Sequence, residues 1–167
     1  LFRYVLKHFN LYVDGVSFAG NIDEVQLPAL TIVEEDYRSG GMDAPVGLDM
    51  GMEKLTMSFK TCRMGSSTLG QFGIGVGSTT PIVFRGGLQS LDGTESAIVV
   101  NMTGRITSVE TDTVTPGSVV GVTFSASLHR YQYIADGVTI HDIDIPNCKR
   151  VINGVDRLAK MRAAIGL

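Results

Sequence analysis

Between residues 96 and 135 the chain alternates apolar and polar positions over a long stretch. Ile98, Val100, Met102 and Ile106 fall on one face, and Asn101, Thr103, Arg105 and Thr107 on the other. After a turn at residues 112–117, which contains Thr115, Pro116 and Gly117, the pattern resumes. Val120, Val122, Phe124, Ala126 and Leu128 there alternate with Gly121, Thr123, Ser125 and Ser127. Period-two alternation predicts two strands, each buried on one face and wet on the other, folded into a long hairpin. Both arms exceed the usual strand of about five or six residues. The excess points to a sheet that continues into something larger.

The same signals place the flanking elements. Residues 1–9 form a mixed basic and aromatic arm, compatible with a helical turn or an extended tail. Asp14-Gly15 and Asp136-Gly137 are dipeptides favoured in tight hairpin turns. Strands are expected at 10–13, 16–19, 21–27, 31–35, 55–60, 81–91 and 138–145, with Pro28 pushing the third to an edge. Residues 62–72 are a weak helix candidate, since Gly65 and Gly70 lower its propensity. A C-terminal helix is predicted over 153–166, with Asn153 as N-cap, Asp156 in its first turn and Gly166 at its end. Its apolar stripe would be Val155, Leu158, Met161, Ala164 and Ile165. The total, about eight strands and one or two helices, is a mainly β (α+β) domain.

Residues 37–52 stand apart. They carry glycines at 40, 41, 47 and 51, Pro45 and three methionines, with no sustained period. Connections of this length are usually functional or disordered. Met42, Leu48 and Met50 argue against a solvated linker, so the segment is expected to meet a partner chain.

Composition narrows the class. With 44% hydrophobic and 19% charged residues, 167 residues make one ordered globular domain with a core of its own. A formal charge of −3 disfavours a phosphate-gripping surface. Cys62 and Cys148 lie outside any CxxC spacing and read as two free thiols. No apolar run is long enough to cross a bilayer, and the charged start is unlike a signal sequence, so a soluble protein made in the cytoplasm is expected.

Catalytic chemistry finds little support. Asp142 and Asp144 share one side of a predicted strand, with His141 opposite. The pair could serve acid/base work or a metal, but a solvated strand face is the better explanation. His8, His129 and His141 have no metal-ligand spacing. The glycines at 73, 75 and 77 lack the strand, helix and Lys-Ser/Thr of a phosphate loop. Asn101-Met102-Thr103 matches a glycosylation sequon inside a strand. No catalytic residue, cofactor or metal is expected.

Two stretches resemble a known family. Residues 35–46 (Glu-Asp-Tyr-Arg-Ser-Gly-Gly-Met-Asp-Ala-Pro-Val), continuing to Asp49-Met50-Gly51, resemble the loop of major tail tube proteins from contractile-tailed phages and related phage-tail-like bacteriocins. Residues 152–158 with Ile165-Gly166-Leu167 are similar to that family's C-terminus, and residues 11–20 with Leu27-Pro28 also fit. The matches keep the family's order across essentially the whole chain. Residues 62–80 depart from the pattern, being richer in small residues, and the first nine are unlike it.

The resemblance implies a single tail tube domain over 1–167, a small β-barrel or sandwich with the C-terminal helix packed beside it. Hexameric rings would stack into a hollow tube inside a contractile sheath, a conduit for genome ejection. The expected partners are further copies of the chain, the sheath protein, baseplate or tail-tip proteins, the tape-measure protein, and DNA that passes without specific binding. No membrane partner is expected. The place would be the virion tail, assembled in the bacterial cytoplasm. Tyr37, Arg38, Gly40, Gly41, Met42, Asp43, Pro45, Leu48 and Met50 would form the inter-subunit loop, with Arg38 as a polar clamp. Asn101, Thr103, Ser125 and Ser127 are candidates for the lumen wall, and the opposite face of the long hairpin would pack on the helix. The alternatives are a tube component of a bacteriocin or contractile secretion apparatus, a small ligand-binding barrel, and an enzyme using Asp142 and Asp144.

Overall fold

A computed structural model describes residues 3–167; of the N-terminal arm, Leu1 and Phe2 lie outside the described residues. The remainder of that arm is a strand, β1 (Tyr4–Val13), which turns at Asp14-Gly15 into β2 (Val16–Ser17). Then come β3 (Ile22–Gln26), β4 (Ile32–Tyr37), β5 (Val46–Met52), β6 (Leu55–Thr61) and a four-residue helix, α1 (Ser66–Leu69). The second half holds β7 (Thr80–Ser90), β8 (Glu95–Thr111), β9 (Val122–Ala135), β10 (Val138–Asp144), β11 (Lys149–Ile152), β12 (Val155–Asp156) and α2 (Ala159–Ala164).

The long hairpin is β8–β9, and it belongs to two layers. In the first, the order is β12-β11-β10-β9-β8-β7-β1-β2. In the second, β6 pairs with residues 122–128 of β9, and β3 pairs with β6. The hairpin changes layer where its register slips. Arg130 opposes Thr103 but Leu128 opposes Gly104, leaving His129 bulged; further along β8, Thr107 is bulged between Ile106 and Ser108. Bulges of this kind bend a strand and raise its twist, which lets one ribbon serve both layers.

The core lies between the layers. The first supplies Leu11, Ile82, Phe84, Val100, Met102, Tyr131 and Ile143, and the second Leu55, Met57, Phe59, Val122 and Phe124, all buried. Phe59 stacks on Phe124 at 5.0 Å between ring centroids, and Phe18 meets Phe59 edge-on at 6.2 Å. Such pairs add about 0.5–1.5 kcal/mol beyond the area they bury. The apolar faces expected for the long hairpin are therefore the faces that pack.

The C-terminus differs from expectation. Asn153 is not a helix cap: its φ is 49° and that of Gly154 is 77°, the pair forming the turn between β11 and β12. Val155 and Asp156 are consequently strand, and the helix begins at Ala159. Asn-Gly between apolar residues is a type I′ hairpin signal, and here it overrides the capping preference of Asn. Gly166, by contrast, is left-handed as expected at φ 80°, with the Leu167 amide donating to the Arg162 carbonyl at 3.0 Å. No residue of α2 is buried, and Met161 and Ile165 are well exposed, so the helix does not cover the long hairpin. The hairpin's apolar face packs on the other sheet layer instead.

Candidate functional site

Residues 37–52 are half of a second hairpin rather than an irregular loop. β4 and β5 form a separate two-stranded sheet, with Tyr37 opposite Val46, Glu35 opposite Leu48 and Glu34 opposite Asp49. Every residue of β4 is exposed, as is β5 as far as Met50. The pairing sorts the side chains by face. Tyr37, Val46, Leu48 and Met50 share one side with Glu35, and Glu34, Asp36 and Asp49 lie on the other. The hairpin is amphipathic, yet solvent lies on both sides of it: Tyr37 is 51% exposed, Leu48 47% and Met50 59%. A mainly apolar strip interrupted by the single carboxylate of Glu35, on an arm outside the core, marks an interaction surface.

The tip, residues 38–45, is held by its own contacts. The Arg38 Nε donates to the Met42 carbonyl at 3.2 Å, and the Ser39 amide to the Met42 sulfur at 3.4 Å. Arg38, expected to clamp a neighbour, here braces its own loop. Gly41 has φ 93°, a conformation other side chains resist, whereas Gly40 does not. Asp43 and Pro45 are exposed at the tip. At the base, Asp49 accepts from the Gly51 amide at 2.8 Å and lies 3.6 Å from Arg150 of β11. Beside that contact, a groove of about 570 Å³ is lined by Met52, Ile143, Leu158 and Met161 among others. Val46 was not among the expected contact residues. Its signal was the strict alternation Val46-Gly47-Leu48-Asp49-Met50-Gly51-Met52, hidden by the glycine content.

The four residues expected on a lumen wall all lie on the non-core side of the β8–β9 ribbon, but the bulges divide them. Asn101 and Thr103 belong to the first layer, where the Asn101 side-chain amide donates to Gln132 Oε1 at 3.1 Å and Thr103 opposes Arg130. Ser127 and Ser125 belong to the second, opposite Thr56 and Ser58 of β6.

Asp142 and Asp144 do share a strand face, with different environments. Lys149 pairs with Asp142 at 2.8 Å, while Asn147 donates to Asp144 from its side chain at 2.8 Å, closing the β10–β11 turn. Both carboxylates have a structural task, and among the described residues no group of three His, Cys, Asp or Glu side chains could hold a metal. Cys62 and Cys148 are free and half-buried. The glycine run at 73–77 joins α1 to β7 with no helix after it. No helix among the described residues is long and apolar enough to cross a membrane.

Comparison with known proteins gives the family and the fold. Residues 3–166 match the family described as phage tail tube protein FII. The tail tube protein of Escherichia phage P2 is 32% identical over 97% of this chain and 96% of its own. The major tail tube protein of Serratia phage KSP20 is 31% identical over 85% and 83%. Among solved structures, a chain of the sheath–tube complex of an extracellular contractile injection system, PVC, superposes with TM-score 0.57 at 13% identity, covering 77% of this chain and 88% of that one. A second, from the sheath/tube terminator of the same system, gives 0.59 at 11% identity over 77% and 94%. These two likenesses are of fold.

Proposed function

The chain belongs to the phage tail tube protein FII family, and we propose that it is the repeating subunit of a contractile tail tube, hexameric rings of which stack into a hollow conduit for the genome. Its homologues are structural tail tube proteins rather than enzymes. The observation that carries the assembly reading is the β4–β5 arm, whose face of Tyr37, Val46, Leu48 and Met50, with Glu35 among them, is left exposed by the described residues. Burial of such apolar surface between copies is favourable by roughly 25 cal/mol per Å² before the costs of association. Tyr37, Val46, Leu48 and Met50 make the contact with a neighbouring subunit, and Gly40, Gly41, Met42, Asp43 and Pro45 shape the tip that presents them. Arg38 keeps that tip in order.

The partners beyond further copies of the chain are the sheath outside the tube and the baseplate or tail-tip proteins at its end. The tape-measure protein and then DNA occupy the bore, and the subunit is a component of the virion, assembled in the host cytoplasm. The relatives at 31–32% identity are phage proteins, which favours a phage tail over a bacteriocin or an injection apparatus.

Electron microscopy of Leu48→Ser/Met50→Ser tests the reading. The variant is expected to keep the far-ultraviolet circular dichroism and Tm of the parent and to form no tubes. Tubes of normal length and number from this variant would sink the role given to the arm.

A further inference from the structure

We propose, on the tube reading above, that the tip of the β4–β5 arm, residues 38–45, seats in a cleft at the root of the same arm on a neighbouring copy, Asp43 meeting the arginines there and Met42 the apolar walls. The cleft holds about 550 Å³. Leu30, Ile32 and Met52 at the arm's root face His141, Ile143 and Ile152 of β10 and β11 across it. Its walls carry two guanidinium groups, Arg150 and Arg157, and no carboxylate. An apolar recess with a few convergent polar groups is the usual form of a binding site.

Those polar groups are short of partners. Arg150, with a side chain only 17% exposed, has one carboxylate near it, that of the exposed Asp49 at 3.6 Å. Arg157 stands at the exposed rim and forms none of the ion pairs among the described residues. His141 has its Nδ1 buried without a hydrogen-bond partner. The other charges close by are already matched. Lys149 pairs with Asp142 at 2.8 Å, Arg162 with Asp156 at 2.7 Å, and Asp144 accepts from Asn147 at 2.8 Å. A largely buried cation without a close carboxylate is costly, so a carboxylate brought in by another chain is what the cleft lacks.

The arm supplies that chemistry. Between residues 32 and 52 it carries five carboxylates, Glu34, Glu35, Asp36, Asp43 and Asp49, against one cation, Arg38. Arg38 is engaged with the Met42 carbonyl. At the tip an exposed carboxylate, Asp43, follows an exposed apolar side chain, Met42, which matches arginines set over an apolar wall. The chain's own tip is not the occupant. β5 runs seven residues from Val46 to Met52, paired with β4. At about 3.3 Å per residue, that holds the tip roughly 20 Å from the root. The tip therefore meets the cleft of another copy. Each copy offers one tip and one cleft, the head-to-tail arrangement that propagates through an assembly.

The test links tip to cleft between copies. In a background with Cys62 and Cys148 changed to Ser, one protein carries Met42→Cys and a second carries Leu30→Cys. Tubes assembled from the mixture are expected to give a disulfide-linked dimer on mild oxidation, and tubes of either protein alone to give none. Arg157→Glu is expected to lose tube formation while keeping the Tm of the parent, and Asp43→Arg in the same chain to restore it. Tubes in which neither Leu30→Cys nor Ile152→Cys links to Met42→Cys overturn the proposal while leaving the tube reading intact, as do normal tubes from Arg157→Glu. A parent protein that forms neither rings nor tubes, even with tail-tip proteins added, overturns the tube reading and this proposal with it.

Discussion

Gly104 of β8 lies so close to Ser127 of β9 that a Cβ there would strike the Ser127 carbonyl oxygen, and would sit 2.8 Å from the Leu128 Cα. This contact stands beside the His129 bulge, at the corner where the hairpin passes from one sheet layer to the other. Backbone cannot yield as a flexible side chain can. Gly104→Ala is expected to destabilise the fold by about 2–3 kcal/mol, the range of overpacked positions. Gly87→Ala is the control, because its Cβ would meet the His8 carbonyl only at 3.9 Å. Urea unfolding of both variants checks this; equal stabilities would show that the corner tolerates a side chain.

The corner also explains what could be foreseen in the chain. The alternation of Val100, Met102, Phe124 and Ala126 marks the buried face, because a buried sheet face demands it. His129 and Thr107 carry no mark of being bulged, since a bulge arises from tertiary fit rather than from residue type. The division of Asn101 from Ser127 was invisible for the same reason. At the β4–β5 arm the pattern was legible but masked: Gly47 and Gly51 stand where a wet strand usually shows polar side chains. At the C-terminus two rules competed for Asn153. The dipeptides Asp14-Gly15 and Asp136-Gly137 adopt the left-handed pair their sequence predicts, and Asn153-Gly154 does likewise.

Asn153→Ser separates the turn from the cap. Ser is as good a helix cap as Asn, so a capping role would make the change nearly neutral. In the left-handed conformation observed, φ 49°, Ser loses what Asn tolerates. The expected loss is about 1 kcal/mol, the order of the left-handed penalty for an L-residue. Asn153→Gly should cost less than Asn153→Ser in the same chemical-denaturation series. The opposite ranking would restore the cap.

The C-terminal segment is tied down by charge. Arg162 pairs with Asp156 at 2.7 Å and donates to the Cys148 carbonyl at 3.3 Å. The Arg162 hydrogen bond, helped by the Leu158 amide, holds the Asp156 carboxyl below its ordinary range. A lowered folded pKa stabilises above the unfolded value and is lost as pH falls through the folded one. The attachment of α2 should therefore weaken below about pH 4, the ordinary carboxylate pKa. Arg162→Gln should loosen it at neutral pH. Faster amide hydrogen exchange over residues 157–166, in acid for the parent and at pH 7 for the variant, is the expected result. Unchanged exchange in Arg162→Gln would remove the ion pair from the list of tethers.

Alkaline titration probes the first layer. Tyr131 is buried opposite Met102 and Ile143, and burial, aided by the neighbouring Tyr133, pushes its phenol up to about 12. An unfolded tyrosine ionises near 10. Between these values the unfolded chain has lost the proton and the native chain keeps it, so the unfolded state binds fewer protons and stability falls as pH rises. Below pH 10 the term is constant. Ultraviolet titration should show one phenolate appearing late, and Tyr131→Phe should remove that late step. The same variant should flatten the loss of stability between about pH 10 and 12. If Tyr131→Phe leaves both the titration curve and the alkaline slope of stability unchanged, Tyr131 is reached by solvent and the packing of this layer is looser than drawn.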